Sequence, residues 1–291
     1  VKIKELMLLD SLDMTNEHRI TILENCINVI SKLGIKTLCN LEGVGKNLQD
    51  HIAVSTQFES IRPVTPHRSA SKTRMALAGL QYLFFGKGDA ANPPCGAGAF
   101  LRSSPEKDIP DLQLFYVSVA LNDSHGRDGI PKDHRFSLGL YVLRPQSRGY
   151  ITLKSKDPED SPLIFPNYFS DEQDLIDTRN GLRVAHKIFM QEAFDKYRGV
   201  RIRPKENIDI THDNSLDEYI RNTAETLYHP VGTCKMGTDA MSVTNEHGQV
   251  KKVHGLRVVD ASLMPTLIGG NTDAPTMMIA EKISDHINRI N

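Results

Sequence analysis

The sequence has no excess of charge of one sign and no long apolar run, and each absence excludes a class of protein. Lysine and arginine number 35 against 36 aspartates and glutamates, so the 291-residue chain has no basic field that would attract nucleic acid. No apolar run reaches the roughly 18 residues that a membrane-spanning helix needs. With 39% hydrophobic and 24% charged residues, the composition is that of an ordinary globular protein.

Cysteine is also scarce, and its spacing excludes two kinds of site. Cys26, Cys39, Cys95 and Cys234 form no C-x-x-C pair, which argues against a structural zinc site or a dithiol redox centre. Four cysteines are too few for a disulfide scaffold in a chain of this length. One or two disulfides and four free, mostly buried thiols both fit the sequence.

The sequence motifs of several common enzyme classes are missing. There is no G-x-x-x-x-G-K-[ST] phosphate loop, no G-x-S-x-G turn, no H-E-x-x-H helix and no complete G-x-G-x-x-G. The histidines in polar loops have no spacing typical of metal ligands, so we predict no metal site.

Short segments of alternating apolar and polar residues fill the middle of the chain. This pattern differs from the residue patterns at both ends. Residues 112–117 and 136–143 alternate in this way, which is typical of strands with one buried face. We therefore predict that residues 52–226 form an inserted domain. Residues 1–51 and 227–291 then belong to one domain built from both ends of the chain.

Helical spacing of apolar residues predicts four helices. They cover residues 16–33, a long stretch that begins at Asp171, residues 215–221, and the end of the chain, where Asp273 is a plausible cap. A short strand is predicted over residues 256–260, just before the loop that leads to the last helix.

In the segment Tyr228-His229-Pro230-Val231-Gly232, the histidine is followed by a proline and, two residues after that, by a glycine. Proline fixes its own φ angle and glycine permits close backbone approach. The segment can therefore hold the His229 imidazole in a fixed pose beside a tightly packed ligand. On this pattern alone, a structural histidine is the commoner interpretation.

A second segment places polar residues before the last helix. The predicted strand ends at Asp260 and Ala261, and Asn271 and Thr272 follow two glycines at the helix start. Free backbone N–H groups at a helix start attract electron-rich ligand atoms. On spacing alone, the commoner interpretation is that Asn271 and Asp273 only cap the helix.

Together these segments resemble the C-terminal half of the glucose–methanol–choline (GMC) oxidoreductases, the flavin-dependent alcohol oxidases and dehydrogenases. The resemblance covers most of the chain from Leu33 onward, and the variant at residues 270–282 is most similar to insect glucose dehydrogenase-like and choline dehydrogenase-like members. The segments that carry it are 43–51 (GVGKNLQDH), 147–153, 166–168, 229–234 and 258–282.

The resemblance implies FAD as the cofactor, a small-molecule alcohol as the substrate, and quinone or oxygen as the electron acceptor. It implies that His229 is the base that takes the alcohol proton, and that Asn271 occupies the second catalytic position. A histidine suits the first role because its pKa lies near neutrality, and an amide can hydrogen-bond the substrate oxygen without competing for the proton.

The resemblance also implies which residues contact the cofactor. Asp260 and Ala261 match the segment beside the flavin phosphate and ribityl groups, and Asn271 and Thr272 match the backbone beside the flavin ring. Residues 47–51 match a family motif near the domain junction, where we expect hinge and packing roles for Asn47, Asp50 and His51.

The implied fold is α+β. Residues 52–226 are expected to form a substrate-binding domain with a mainly antiparallel sheet and helices. Residues 1–51 and 227–291 are expected to form a partial α/β FAD-binding domain that lacks its N-terminal Rossmann unit, and residues 6–14 lack both glycines of a family turn.

Two function classes follow from these departures. One is an FAD-dependent alcohol oxidoreductase, and the other is a truncated, non-catalytic remnant that acts as a binding module. Localisation stays open, with secretion as one expectation because many insect-type members are secreted.

Overall fold

The structure, a computed structural model, describes residues 32–37, 39–65, 72–91, 95–118 and 133–290. All but the last two residues of the helix predicted over 16–33 lie outside the described residues. Residues 6–14 and Cys26 lie outside them as well.

The chain divides into two compact units, each built from separate stretches of sequence. Residues 1–51, 144–171 and 228–291 form what we call the terminal unit, and residues 52–143 and 172–227 form the sheet unit. Residues 144–171 thus group with the chain ends, whereas the sequence analysis placed them inside the domain over 52–226. The substrate-binding and FAD-binding roles assigned to the two parts stay predictions.

Backbone pairing explains why residues 144–171 belong to the terminal unit. Leu48 and Gly149 exchange two backbone hydrogen bonds of 3.0 and 2.8 Å, and Ile151 N–H donates to Gly45 O at 2.7 Å. These partners are about a hundred residues apart in sequence, so local patterns give no sign of the pairing.

Eight strands are described, six of which form one antiparallel sheet in the sheet unit. The sheet order is β2-β3-β4-β1-β7, and β8 also pairs with β1, whereas β5 and β6 form a separate hairpin in the terminal unit. The antiparallel sheet expected for this region is confirmed. The strands are β1 (Ile52–Ser60), β2 (Cys95–Leu101), β3 (Leu112–Val117), β4 (Arg135–Val142), β5 (Tyr150–Thr152), β6 (Leu163–Phe165), β7 (Arg198–Arg203) and β8 (Glu225–Thr226).

Four α-helices are described: α1 (Lys72–Phe85), α2 (Glu172–Phe189), α3 (Asp213–Thr223) and α4 (Asp273–Ile290). The helices predicted from Asp171, over 215–221 and at the chain end are confirmed as α2, α3 and α4. Asp273 is the first residue of α4 rather than its cap. Helix α1 was not predicted, because its apolar residues follow no helical stripe.

The core of the sheet unit lies between α2 and one face of the sheet. Helix α2 packs across β1, β3 and β4. A Cβ added at Gly181 would lie 2.7 Å from the Leu140 side chain and 3.0 Å from that of Leu112. The missing side chain therefore allows the helix to approach the sheet closely. Phe189, at the end of α2, makes an edge contact with Phe136 at a ring-centroid distance of 5.1 Å.

The described part of the terminal unit consists of turns, the β5–β6 hairpin and α4 around a small core of its own. Val243, Val250, Leu256 and Ile283 are buried together there. The prediction of a strand over residues 256–260 is wrong, because this stretch contains only two bridge residues, Leu256 and Arg257, and no strand. The predicted α/β character of this unit stays a prediction.

The described cysteines, Cys39, Cys95 and Cys234, form no disulfide. Cys234 is buried, Cys39 is half-buried and Cys95 is exposed. Among the described helices, none is both long and apolar enough to cross a bilayer.

We expect Phe189→Ala to lower the free energy of unfolding by about 3–5 kcal/mol, because it empties a fully buried aromatic site in a close-packed core. Phe189 is 0% exposed, whereas Phe100 on the edge strand β2 is 53% exposed. Urea unfolding followed by circular dichroism measures the change. Phe100→Ala is the matched control and should change the unfolding free energy by no more than about 0.5 kcal/mol. Equal effects of the two substitutions would contradict this assignment of the core.

Candidate active site

Two segments of the terminal unit run antiparallel to each other and place two histidines in contact. Gln49 N–H donates to Val231 O at 3.1 Å, and Val231 N–H donates to Gln49 O at 2.9 Å. His51 lies two residues after Gln49, and His229 lies two residues before Val231. Because side chains alternate along an extended segment, His51 and His229 face each other on the same side.

A glycine makes this close pairing feasible on the side of the His229 turn. Gly232 has φ +94°, and a Cβ at this position would lie 2.5 Å from Asn47 O. Both observations exclude a side chain there. Asn47 Nδ2 also donates to Gly232 O at 3.2 Å, which ties the two segments together.

A chain of hydrogen bonds defines which nitrogen of His229 carries its proton. His51 Nε2 lies 3.0 Å from Ile268 O, and His51 Nδ1 lies 2.9 Å from His229 Nδ1. A carbonyl oxygen only accepts, so His51 Nε2 carries a hydrogen and, in the neutral ring, its Nδ1 accepts. His229 Nδ1 must then be the donor, which leaves the lone pair on His229 Nε2.

Nothing in the described part of the chain forms a hydrogen bond with His229 Nε2. This nitrogen is therefore the basic atom of the site, and its orientation is set by His51. The His51 ring is fully buried and meets the half-buried His229 ring edge-on, with 5.1 Å between the ring centroids.

The Asp50 carboxylate bonds the backbone of His229, whereas His51 bonds its ring. Its Oδ1 accepts a hydrogen bond from His229 N–H at 3.1 Å, and its Oδ2 accepts one from the Tyr168 hydroxyl at 2.6 Å. Asp50 is 7% exposed, so these bonds compensate for the burial of a carboxylate. Tyr168 belongs to the Pro-Asn-Tyr segment that carried part of the resemblance.

Burial and a nearby charge shift the pKa of the His229 imidazole in opposite directions. Burial lowers the pKa of His229 below its ordinary value of 6.5, and the Asp50 carboxylate raises it by a smaller amount. The result is a lowered pKa, so the imidazole is mostly neutral at neutral pH. A neutral ring with an available Nε2 lone pair can accept a proton.

The Gln49 side chain fixes the loop that carries Ile268. Its Oε1 accepts from Leu267 N–H at 3.1 Å, and its Nε2 donates to Pro265 O at 3.1 Å. Gln49 is 2% exposed. Since the same residue pairs with Val231 through its backbone, one residue connects the His229 turn to the loop that leads to Asn271.

Asp260 and Ala261 lie in a separate turn that is bonded to the same region. Asp260 caps the 3₁₀ helix Ala261–Leu263 by accepting a hydrogen bond from Ser262 N–H at 2.7 Å. Ser262 O in turn accepts from Cys234 N–H at 3.1 Å, five residues after His229. A contact of Asp260 or Ala261 with a cofactor stays a prediction.

Asn271 and Thr272 lie at the start of α4. Asn271 is exposed and Thr272 is buried, and Thr272 O accepts the first helical hydrogen bond, from Thr276 N–H at 3.0 Å. Asn271 lies only three residues after Ile268, a stretch of chain that spans at most about 11 Å. The loop from 265 to 272 therefore connects the Ile268 carbonyl, which bonds His51, to the predicted second catalytic position at Asn271.

The motif at residues 47–51 contributes more to this site than the sequence indicated. Asn47 and Asp50 hydrogen-bond the backbone of Gly232 and His229, and His51 bonds directly to the imidazole of His229. The hinge role expected for these residues stays a prediction. Within the described ranges, no group of three or more His, Cys, Asp or Glu residues is arranged to hold a metal ion.

Comparison with known proteins identifies the relatives of this chain. Residues 145–280 match a family model described as GMC oxidoreductase. The chain is 44% identical over 259 residues to an oxygen-dependent choline dehydrogenase of Pseudomonas fluorescens (strain SBW25), covering 89% of this chain and 45% of that protein. A choline dehydrogenase of Cronobacter sakazakii (strain ATCC BAA-894) is 41% identical, with 89% and 46% covered. The chain therefore spans a little under half of these relatives.

Solved structures share the fold at low sequence identity. A formate oxidase variant from Aspergillus oryzae RIB40, studied for FAD modification, superposes with a TM-score of 0.82 at 21% identity, covering 94% of this chain and 52% of that one. Pyridoxine 4-oxidase from Mesorbium loti gives a TM-score of 0.74 at 22% identity, covering 92% and 48%.

We expect the pKa of His229 to lie below 6.5, because burial outweighs the attraction of Asp50. Asp50→Asn removes that attraction and should lower the pKa of His229 further. Histidine ring NMR signals followed through a pH titration measure both values, and the spectrum of His229→Gln assigns the resonance. Asp285→Asn, a substitution at an exposed position of α4, should leave the pKa of His229 unchanged. A rise in the pKa of His229 on Asp50→Asn would contradict this electrostatic account.

Proposed function

We propose that this chain is the catalytic C-terminal part of a GMC-type, flavin-dependent enzyme that oxidises an alcohol, and the match of residues 145–280 to the GMC oxidoreductase family model supports this. The observation that carries the proposal is the hydrogen-bonded series Ile268–His51–His229, which leaves His229 Nε2 as an oriented, neutral base. The lowered pKa of His229 supports the same role.

The region before α4 fits a flat cofactor such as FAD, whose ring carries electron-rich oxygen and nitrogen atoms. Gly270 has no side chain, and among the described residues other than its two chain neighbours no atom lies within 4 Å of where its Cβ would be, so the backbone there is open to a planar ring. The adjacent start of α4 presents backbone N–H groups that favour electron-rich atoms. Gly270, Asn271 and Thr272 would border the ring, and Asp260 and Ala261 would hold the chain that carries it.

Oxidation of an alcohol to a carbonyl removes a proton from oxygen and a hydride from carbon. His229 Nε2 takes the hydroxyl proton, which supplies electron density to the carbon that becomes positive as the hydride leaves. The Asn271 side-chain amide donates a hydrogen bond to the substrate oxygen and keeps it aligned with His229. FAD supplies the acceptor for the hydride when it is bound.

The candidate substrate is a small alcohol, and choline is the first to test because the relatives at 41–44% identity are choline dehydrogenases. The acceptor that reoxidises the flavin is oxygen or a quinone. A chain that folds but binds no FAD would instead support the second function class, a non-catalytic binding module.

We expect His229→Ala to bind FAD as the wild type does and to lower the rate of flavin reduction by alcohol about 10²–10⁴-fold, because the base is lost. FAD binding is read from the visible absorption spectrum of the purified chain. Flavin reduction is read as anaerobic bleaching after choline and other primary alcohols are added.

His254→Ala is the matched control, since His254 is an exposed histidine of the same unit. It should bind FAD and reduce it at the wild-type rate. Wild-type rates for His229→Ala would exclude His229 as the base, and the absence of bound flavin in a folded wild-type chain would exclude the enzyme proposal for these residues.

We expect His51 to act as a positioning residue, so His51→Ala should lower kcat about 10²-fold while KM changes little, because the His229 tautomer is no longer fixed. His51→Asn places an accepting oxygen near the former Nδ1 and should recover part of kcat. Steady-state kinetics across pH measure both variants. Equal losses for both, with FAD binding reduced in parallel, would indicate a purely structural role.

A further inference from the structure

Backbone strain is concentrated around the candidate base. Within the described ranges, five residues other than glycine have φ in the left-handed region, and four of them flank residues of the candidate site. Bulky side chains adopt this conformation only where surrounding contacts enforce it, and such positions gather at functional sites. The contacts that hold these turns are therefore candidates for positioning the base. The four residues are Asn47 (φ 60°), Asn167 (φ 53°), Phe169 (φ 60°) and Tyr228 (φ 62°).

Two of these residues lie on either side of Tyr168 and fix the direction of its side chain. On one side, Asn167 is anchored because its Nδ2 donates to Arg148 O at 3.2 Å. On the other side, Phe169 is buried. Between these two anchors Tyr168 is half-buried, and its hydroxyl donates to Asp50 Oδ2 at 2.6 Å. The turn thus holds a hydroxyl donor, and not only an aromatic ring, against the Asp50 carboxylate.

The Asp50 carboxylate connects Tyr168 to the peptide unit in front of His229. One carboxylate oxygen bonds the Tyr168 hydroxyl, and the other accepts from His229 N–H at 3.1 Å. This peptide unit joins His229 to the left-handed Tyr228, whose side chain is mostly exposed, so burial of that ring contributes little to holding the turn. The hydrogen bond to Asp50 is therefore a direct restraint on the backbone that carries the base.

The hydroxyl of Tyr168 reaches Asp50 from a distant part of the sequence. The two residues are 118 positions apart, and Asp50, Tyr168 and His229 come from the three separate stretches that make up the terminal unit. A buried carboxylate needs hydrogen-bond donors, and a phenol supplies one where a phenylalanine ring of nearly the same size would not. The type of residue at position 168 therefore matters for the direction of the Asp50 carboxylate.

We propose that Tyr168 is a positioning residue for the base of the alcohol oxidation, an inference that rests on the function proposed above. The Tyr168 hydroxyl fixes the direction of the Asp50 carboxylate, and the carboxylate holds the His229 peptide so that Nε2 stays in place. His51 sets which nitrogen of His229 carries the proton, whereas Tyr168 sets where the ring lies. Because a small displacement of a reacting group slows a reaction strongly, the hydroxyl contributes to the rate and not only to the stability of the turn.

Amide hydrogen exchange tests this geometry without cofactor or substrate. Tyr168→Phe removes only the hydroxyl, and we expect the His229 N–H to exchange with solvent at least about tenfold faster, because its acceptor is no longer held. The Val231 N–H, which bonds Gln49 O, should exchange at the wild-type rate, which would show that the paired segments stay folded. NMR of the full chain measures both amides. Unchanged exchange at His229 would overturn the proposal.

The matched control is Tyr150→Phe, which is the same chemical change at a half-buried tyrosine of the same unit. Among the described residues none forms a hydrogen bond with the Tyr150 hydroxyl, and the Tyr150 ring stacks on Phe165 with 4.7 Å between the ring centroids. Tyr150→Phe keeps this stacking. It should change neither the exchange of the His229 N–H nor the rate of flavin reduction.

Rapid-reaction kinetics of the FAD-loaded protein, with choline and other primary alcohols, test the role in the reaction. Tyr168→Phe should lower the rate of flavin reduction per bound flavin about 10–10²-fold, with KM changed by less than about threefold. A purely structural role would reduce the fraction of protein that binds FAD and leave the rate per bound flavin unchanged, and this result would overturn the proposal. A slower rate without faster exchange at His229 would overturn it as well.

The same measurements separate this inference from the function on which it rests. A folded wild type that reduces no flavin with any of these alcohols would overturn the proposed function and this inference with it. A wild type that reduces flavin, beside a Tyr168→Phe variant with unchanged exchange and rate, would overturn this inference alone.

Discussion

The pairing of Gln49 with Val231 is the contact on which the rest of the candidate site depends. Its two backbone hydrogen bonds set the register that brings His51 opposite His229. A slip of one residue would turn one of the two rings to the other side, because side chains alternate along extended chain. The buried Gln49 amide then extends the same constraint to the loop at residues 265–268.

The sequence predicts elements well where periodicity is local. The alternation at β3 and the helical spacing of α2 and α4 each correspond to an element in the structure. Helix α1 escaped prediction because it has no polar face. The stretch 256–260 forms no strand, although three of its five residues are apolar, because it makes only isolated bridge contacts. The grouping of residues 144–171 with the chain ends depends on pairing across about a hundred residues, which no local pattern reveals.

The contrast between local patterns and contacts distant in sequence applies to the candidate site as well. The His229 turn can be recognised because proline and glycine flank a histidine, and the family resemblance supplies its chemistry. The partnership with His51 cannot be recognised, since it follows from a register 178 residues apart. The pKa of His229 reflects two opposed effects. Burial lowers this pKa, the Asp50 carboxylate raises it, and the effect of burial is the larger. Such a balance is fixed by tertiary packing and not by composition.

The division of both units into separate stretches has a consequence for how the protein is made on the ribosome. The oxygen of Ile268 that fixes the His51 ring is 217 residues further along the chain. At synthesis rates of about 5–20 residues per second, His51 waits roughly 10–40 s for that partner. The sheet unit, whose last strand ends at Thr226, is complete before then. The histidine pair is therefore assembled late in translation, after the larger part of the molecule has had time to fold.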